Sequence, residues 1–183
     1  VDLLDIDGDR RDQLVRHHRP ESVVLNHAQH GSVVIRDQKP MSDAGLEKAL
    51  QDGITPMEWY ERLNQRVFFW PTLKRLHKML GARAYKNDRH LVIVVDTASL
   101  LSENFDRVLL SRMNSGCTVP VPHQRGEITF QSPAKFPFEE RKKSRGEGFA
   151  ELLIEYGVPE LRQHVVEAYV AKQTEKIEQV WAR

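Results

Sequence analysis

The sequence predicts an α+β domain, because short strands and helices follow one another without the regular alternation that builds a doubly wound sheet. Three stretches carry this prediction. Residues 149–156 form an apolar run containing two acids, a pattern typical of a strand. Residues 55–58, Thr-Pro-Met-Glu, combine a helix N-cap, a first-turn proline and a capping-box glutamate. Residues 90–96 form an almost wholly apolar run of strand length.

The composition is that of a folded, nearly neutral chain. Its 183 residues fit a single domain over 1–183, and 40% hydrophobic with 29% charged residues are globular values. The net charge of +1 leaves any nucleic-acid affinity to a local patch. Cys117 is the single cysteine, which excludes an internal disulfide and fits a reducing cytosol. Because no apolar run has membrane-spanning length and no signal peptide is visible, we expect a cytoplasmic protein without a membrane partner.

In the first half of the chain, the pattern predicts helices between short strands. The helices are expected over residues 9–18, 42–50, 56–64 and 73–84. The strands are expected over residues 23–25, 33–35, 67–70 and 90–96. The last of these strands should be central in its sheet, since both of its faces are apolar.

In the second half, strands and loops are predicted to dominate. Strands are expected over residues 108–111, 127–130, 149–156 and 165–171. Residues 118–125 contain two prolines and indicate an ordered loop, whereas the basic, glycine-containing stretch 133–148 indicates a mobile one. A short helix after Pro159 and a last helix over residues 174–181 complete the prediction.

Glu151 stands near the start of the strand predicted for residues 149–156. Alternation places it on one face together with Leu153 and Glu155. An acid at the start of a strand, preceded by a flexible loop, can direct its carboxylate into a cleft. The alternative is that Glu151 lies on an edge strand and only discourages pairing there.

Arg36 directly follows the apolar strand predicted over residues 33–35. An arginine at this place is often a plain surface cation. Its planar guanidinium can equally clamp a carboxylate or a pyrophosphate with two hydrogen bonds. The local sequence leaves both interpretations open.

Several kinds of site are absent from the sequence. It contains no phosphate-binding glycine loop, no Gly-x-Ser-x-Gly elbow and no His-Glu-x-x-His pair, and no metal is expected. What remains is an arginine after an early strand, an aromatic strand-helix unit and a carboxylate on a late strand. This combination suits a reaction that develops positive charge, in which the arginine holds an anionic cofactor and the carboxylate stabilises an oxocarbenium-like sugar.

Two short motifs carry a family resemblance. They are Val67-Phe68-Phe69-Trp70-Pro71 and Phe149-Ala150-Glu151-Leu152-Leu153-Ile154. With the helix after the first motif and the strand over residues 90–96, they resemble in order the elements of DNA-targeting ADP-ribosyltransferase toxins of the DarT type. The whole chain, including Val34-Ile35-Arg36-Asp37-Gln38, also looks similar to a family of uncharacterised bacterial proteins of that type.

The resemblance implies an ADP-ribosyltransferase fold with a split mixed sheet and NAD as co-substrate. Carried over to this sequence, it implies that Glu151 is catalytic and that Arg36 contacts NAD. It further implies that Phe69 and Trp70 shape the nicotinamide pocket. The toxins begin with a histidine-bearing strand that has no match before Asp9, so we expect this strand to be missing from the chain or lost.

For the acceptor, the resemblance implies nucleic acid, and it implies an antitoxin protein as a further partner. Four cations in the segments leading to Glu151 are the candidate nucleic-acid contacts: Arg125, Lys142, Lys143 and Arg145. The alternative is that these cations only keep a loop soluble. A non-catalytic nucleotide- or nucleic-acid-binding domain on the same fold is the rival to the enzyme.

Overall fold

A computed structural model describes residues 4–145 and 148–183, with the side chains of residues 144 and 145 left out. The predicted α+β class is confirmed, since helices flank several antiparallel sheets. The chain divides into two compact units. The first unit comprises Val1–Gln65 and Asn114–Thr129, and the second comprises Arg66–Met113 and Phe130–Arg183.

The first unit contains helices and a two-stranded hairpin. Its elements are α1 (Gly8–Arg16), β1 (Val23–His27), β2 (Gly31–Ile35), α2 (Asp43–Ala49) and α3 (Pro56–Asn64). The predicted capping box of α3 is confirmed, because Glu58 N–H donates to the Thr55 hydroxyl and the Glu58 carboxylate accepts from Thr55 N–H. The Tyr60 hydroxyl donates to Asp43 at 2.8 Å and so ties α3 to α2.

The second unit contains two antiparallel sheets and their helices. Its elements are β3 (Arg66–Phe69), α4 (Leu73–Leu80), β4 (His90–Val95), α5 (Thr97–Asn104), β5 (Val108–Ser111), β6 (Phe130–Gln131), α6 (Phe138–Arg145), β7 (Glu151–Glu155), α7 (Leu161–His164), β8 (Val165–Lys172) and β9 (Glu175–Ala182). One sheet has the strand order β3-β7-β5-β6 and the other has the order β4-β8-β9. Every ladder between these named strands is antiparallel, whereas a mixed sheet was expected.

The main core of the second unit lies on one face of the four-stranded sheet. Leu152 and Ile154 of β7 point into it, and its other buried members are Leu100, Val108, Leu110 and Phe136. Burying one such side chain stabilises the fold by about 1.5–3 kcal/mol relative to leaving it exposed. Because side chains alternate along a strand, Glu151 lies on the opposite face of β7 from Leu152 and Ile154.

Two predictions for the three-stranded sheet are wrong. The strand over residues 90–96 exists as β4, but it lies at an edge, and its Leu91 and Ile93 are exposed. The helix predicted over residues 174–181 is instead the strand β9, Glu175–Ala182. Pairing with β8 overrides the helix-like spacing of charged and apolar residues, because local propensity is weak against tertiary contacts.

Two predicted loop and strand assignments also change. The stretch 133–148, predicted to be a mobile loop, contains the helix α6 over Phe138–Arg145. The strand predicted over 127–130 is reduced to the two residues of β6, which follow a short 3-10 turn at Glu127–Thr129. Within the described residues, we find no helix of the length and apolar character needed to cross a membrane.

Candidate functional site

Glu151 is the first residue of β7, which lies between β3 and β5 in its sheet. The edge-strand interpretation of this acid is therefore wrong, because β7 is paired on both sides. Glu151 is only 3% exposed. A carboxylate at this depth has lost most of its water, and buried charged groups are tolerated only where the protein supplies polar partners.

The register of the ladders defines what lies beside Glu151. On one side, it pairs with Ser111 of β5, a residue that is fully buried. On the other side, the ladder with β3 ends at the pair of Phe69 and Leu152. Glu151 therefore stands one residue beyond that ladder, where the chain of β3 continues into Trp70. This is the point at which the sheet opens on its β3 side.

Phe69 lies on the opposite face of the sheet from Glu151, so the prediction that it shapes the nicotinamide pocket is wrong. Its cross-strand partner is Leu152, and it packs against the core cluster that Leu152 helps to form. Side chains alternate along a strand, so Phe69 and Glu151 point to opposite faces. Trp70 directly follows the last residue of β3, and its role in shaping the pocket stays a prediction.

The face that carries Glu151 is crossed by an arginine. Arg66 of β3 donates to Glu155 at 2.7 Å, and its guanidinium lies 4.8 Å from the centre of the Phe130 ring. β3 and β6 are the two outer strands of this sheet, so a contact between their side chains requires this face to be concave. Leu153, at the middle of the face, is completely buried.

Three phenylalanines pack against one another at the start of β7. The ring centres of Phe136, Phe138 and Phe149 lie 5.1 to 6.3 Å apart in edge-on arrangements. Phe149 precedes Glu151 by two residues, and Phe138 is the first residue of α6. Packing of aromatic rings in this way stabilises by about 0.5–1.5 kcal/mol per pair beyond area burial. The start of α6 is thereby held next to the start of β7.

Three of the four predicted nucleic-acid contacts lie on α6. Lys142 and Lys143 are exposed there, while the side chain of Arg145 lies outside the described residues. Sequence reasoning did not single out Arg112, which directly follows the strand partner of Glu151 and is exposed. The guanidinium of Arg141 on α6 donates to the carbonyl of Arg112 at 2.7 Å. Only the β5–β7 register, which sequence does not give, could have identified Arg112.

Arg125 is buried, so the prediction that it contacts phosphate is wrong. It is 2% exposed, and its guanidinium donates to three backbone carbonyls, those of Ser115, Cys117 and His123. The group also stacks over the Trp59 ring at 5.9 Å. Arg125 therefore organises the loop 114–129 of the first unit and is not available to a polyanion.

Arg36 follows β2 in the first unit and is exposed. Its carbonyl accepts a hydrogen bond from Nε of Arg19 at 3.1 Å. Burial lowers the pKa of the Arg19 guanidinium, and the nearby charge of Asp37 opposes this shift. The assignment of Arg36 to a bound pyrophosphate stays a prediction.

The described residues offer no group of three or more His, Cys, Asp or Glu side chains arranged to hold a metal ion. A cavity of about 340 Å³ lies in the first unit, with Asp5, Asp7, Arg10 and His27 among its lining residues. None of the predicted site residues lines it.

A comparison with protein families gives one match that covers most of the chain. The model of a family described as "Family of unknown function (DUF7002)" matches residues 1–165. The chain belongs to the DUF7002 family. Neither the curated proteins nor the solved structures contain a match to it.

The DUF7002 match includes all of β7 and α6, and it ends at the first residue of β8. The candidate site of this DUF7002 protein is thus a buried carboxylate at the end of a central strand. Trp70 lies one residue beyond the end of the β3–β7 ladder. The exposed cations Arg112, Lys142 and Lys143 lie on the segment after β5 and on α6. Such a site can stabilise a developing positive charge and attract an anionic ligand.

Proposed function

We propose that this DUF7002 protein is an NAD-dependent ADP-ribosyltransferase of the DarT-like type, in which Glu151 stabilises the ribosyl oxocarbenium. The observation that carries the proposal is the position of Glu151. It is a buried carboxylate on the first residue of a central strand, at the point where the ladder with β3 ends. The resemblance of residues 149–154 to the glutamate-bearing strand of those toxins supports the same assignment.

The physical argument rests on charge in a dry environment. Cleavage of the bond between nicotinamide and ribose leaves positive charge on the sugar ring. A carboxylate held in place before the reaction stabilises this charge more strongly in a site that excludes water than in bulk solvent. The 3% exposure of Glu151 provides the dry surroundings, and its pairing with Ser111 of β5 provides the fixed position.

Binding of the NAD pyrophosphate requires a cation near the reacting carboxylate. Arg36 is the residue that the resemblance implies. Arg112 is a second candidate, because it lies in the same unit as Glu151 and directly follows Ser111, the cross-strand partner of Glu151. The guanidinium of Arg112 could bind the pyrophosphate with two hydrogen bonds.

For the acceptor, we propose nucleic acid. Lys142 and Lys143 are exposed on α6, whose first residue, Phe138, contacts Phe149 two residues before Glu151. Phosphate contacts from such cations act at the entrance to the site. An antitoxin partner belongs to the same proposal and rests on the resemblance alone.

The rival is a non-catalytic binding domain, and one observation favours it. The face that carries Glu151 is crossed by Arg66, which reaches from Glu155 to the Phe130 ring. A buried acid on a face covered in this way can be a structural group of the sheet.

Calorimetry with NAD tests the transferase, because a chain that does not bind NAD cannot transfer ADP-ribose from it. We expect saturable binding by the wild-type chain and weaker binding by Arg112→Ala. Glu151→Gln, which keeps the shape of the side chain, should still bind NAD because the carboxylate acts mainly on the cleavage step. A wild-type chain that does not bind NAD would contradict the transferase and leave the binding domain.

A further inference from the structure

A histidine on α7 joins a serine and a glutamate of α5. The ring of His164 is 1% exposed, and its Nδ1 lies 2.7 Å from the hydroxyl of Ser99. Its Nε2 lies 3.3 Å from a carboxylate oxygen of Glu103, a contact without hydrogen-bond alignment. Ser99 and Glu103 are four residues apart, so they lie on the same side of α5 and hold the imidazole between them.

The charges determine which ring nitrogen carries the proton. The carboxylate of Glu103 favours a proton on Nε2, so that Nδ1 is left as an acceptor. The Ser99 hydroxyl then donates to Nδ1. This is the arrangement that activates a serine: a hydroxyl on a neutral imidazole, with a carboxylate on the far nitrogen to stabilise the imidazolium.

The backbone holds the three groups in register. Asp96 caps α5 by accepting from Ser99 N–H at 2.7 Å, and the N–H of Asp96 donates to the His164 carbonyl at 2.8 Å. The ring and the helix start are therefore tied together by main-chain contacts as well as by side chains. Ser99 keeps part of its surface accessible, and Glu103 is half-exposed.

We propose that Ser99 is an activated nucleophile for an acyl group, such as that of a carboxylic ester, with His164 as its general base. The Ser99 Oγ forms a bond to the acyl carbon while its proton passes to Nδ1. The alcohol leaves with that proton, and water then releases the acid by the same sequence. In the first turn of α5, the N–H of Ser99 donates to the Asp96 side chain and that of Leu100 to the Asp96 carbonyl, so the oxyanion would be stabilised by the N–H groups of Thr97 and Ala98.

Labelling with a fluorophosphonate tests this directly, because such a probe transfers its phosphonyl group to activated serines and releases fluoride. Mass spectrometry of the labelled wild-type chain should find the adduct on Ser99. Ser102 is the matched control, since it is exposed on the same helix and its hydroxyl donates only to the Ser99 carbonyl. Ser99→Ala should abolish labelling, and Ser102→Ala should leave it unchanged.

His164→Gln should slow the labelling of Ser99 by about a hundredfold or more, the usual contribution of a general base. Glu103 is a positioning residue, so Glu103→Gln should slow labelling and Glu103→Asp should restore part of the rate. A wild-type chain with no adduct on Ser99 would overturn the proposal without reference to any variant. So would labelling of Ser99 and Ser102 at equal rates. In both cases, His164 would only tie α7 to α5.

Discussion

Glu151 and Ser111 are cross-strand partners on the two central strands of their sheet, and both side chains are buried. The Ser111 hydroxyl donates to the Met113 carbonyl at 2.9 Å, which turns the chain sharply after β5. Arg112 stands in that turn. The end of β5 thus positions both the Glu151 carboxylate, through its pairing with Ser111, and the exposed Arg112. The proposed chemistry depends on this relationship.

The ion pair between Arg66 and Glu155 should contribute measurably to stability. Arg66 is 11% exposed and the two groups meet at 2.7 Å. A double-mutant cycle with Arg66→Met and Glu155→Gln should give a coupling free energy of about 1–3 kcal/mol, since the contact is largely shielded from water. Urea denaturation of the four proteins measures it.

The matched control is the pair of Arg89 and Glu178, which has a similar distance of 2.8 Å but exposures of 62% and 58%. Its coupling should be below about 1 kcal/mol. Equal coupling in the two cycles would mean that the face carrying Glu151 is open to solvent.

The capping box of α3 should give the chain a defined acid sensitivity. Thr55→Ala should destabilise the fold by about 1 kcal/mol. The hydrogen bonds from the Thr55 backbone and side chain hold the pKa of Glu58 below its ordinary value of 4.5. A lowered pKa stabilises the folded state above that ordinary value, and this contribution is lost as the pH falls through the folded value.

Unfolding free energies measured between about pH 6 and about pH 3 test this sign. Glu58→Gln should flatten the loss of stability on acidification, and Glu47→Gln, at an exposed site of α2, should leave it unchanged. A steeper loss in Glu58→Gln would contradict the assignment.

Gly45 should tolerate no side chain although it lies inside a helix. Helix propensity alone favours alanine over glycine by about 1 kcal/mol. A Cβ at Gly45, however, would lie 2.8 Å from the hydroxyl and 2.9 Å from Cβ of buried Thr118. Overpacking of this kind costs about 1–3 kcal/mol, so Gly45→Ala should be destabilising on balance.

The neighbouring exposed position provides the control for this measurement. Ala44→Gly should destabilise by about 1 kcal/mol through propensity alone. A stabilised Gly45→Ala variant in the same thermal unfolding experiment would contradict this prediction and show that the loop around Thr118 shifts to accommodate the added Cβ.

Local signals in the sequence predicted the elements that are built locally. The capping box at Thr55 and Glu58 predicted the start of α3, and the alternation around Glu151 predicted β7. The capping box rests on contacts within three residues of the chain, whereas β7 pairs with distant strands but shows the period-2 pattern in its own sequence. The candidate acid could therefore be identified from its own strand.

The features that were predicted wrongly depend on contacts with residues far away in the sequence. The burial of Arg125 arises because the carbonyls of a proline-containing loop converge on it, and nothing in the nearby sequence indicates this convergence. The helix α6 was predicted as a loop because of its charges, yet its first residue is anchored by two aromatic rings. The strand β9 exists because β8 offers it an edge.

The lysines of α6 should carry the nucleic-acid affinity. Lys142→Ala with Lys143→Ala should leave stability within about 0.5 kcal/mol, since both side chains are exposed. The double variant should bind oligonucleotides more weakly. Each lost phosphate contact should reduce the slope of log affinity against log salt by about 0.9 for a duplex or about 0.7 for a single strand. An affinity and slope equal to the wild type would remove α6 from the acceptor site.

The most direct test of the proposed function is ADP-ribosyl transfer by Glu151→Gln. The reaction is followed with labelled NAD and mixed DNA and RNA oligonucleotides as acceptors, with thermal unfolding as the check on folding. If Glu151 stabilises the oxocarbenium, the wild type transfers label and the folded variant is slower by at least about a hundredfold. Transfer at the wild-type rate by a folded Glu151→Gln protein would contradict the account.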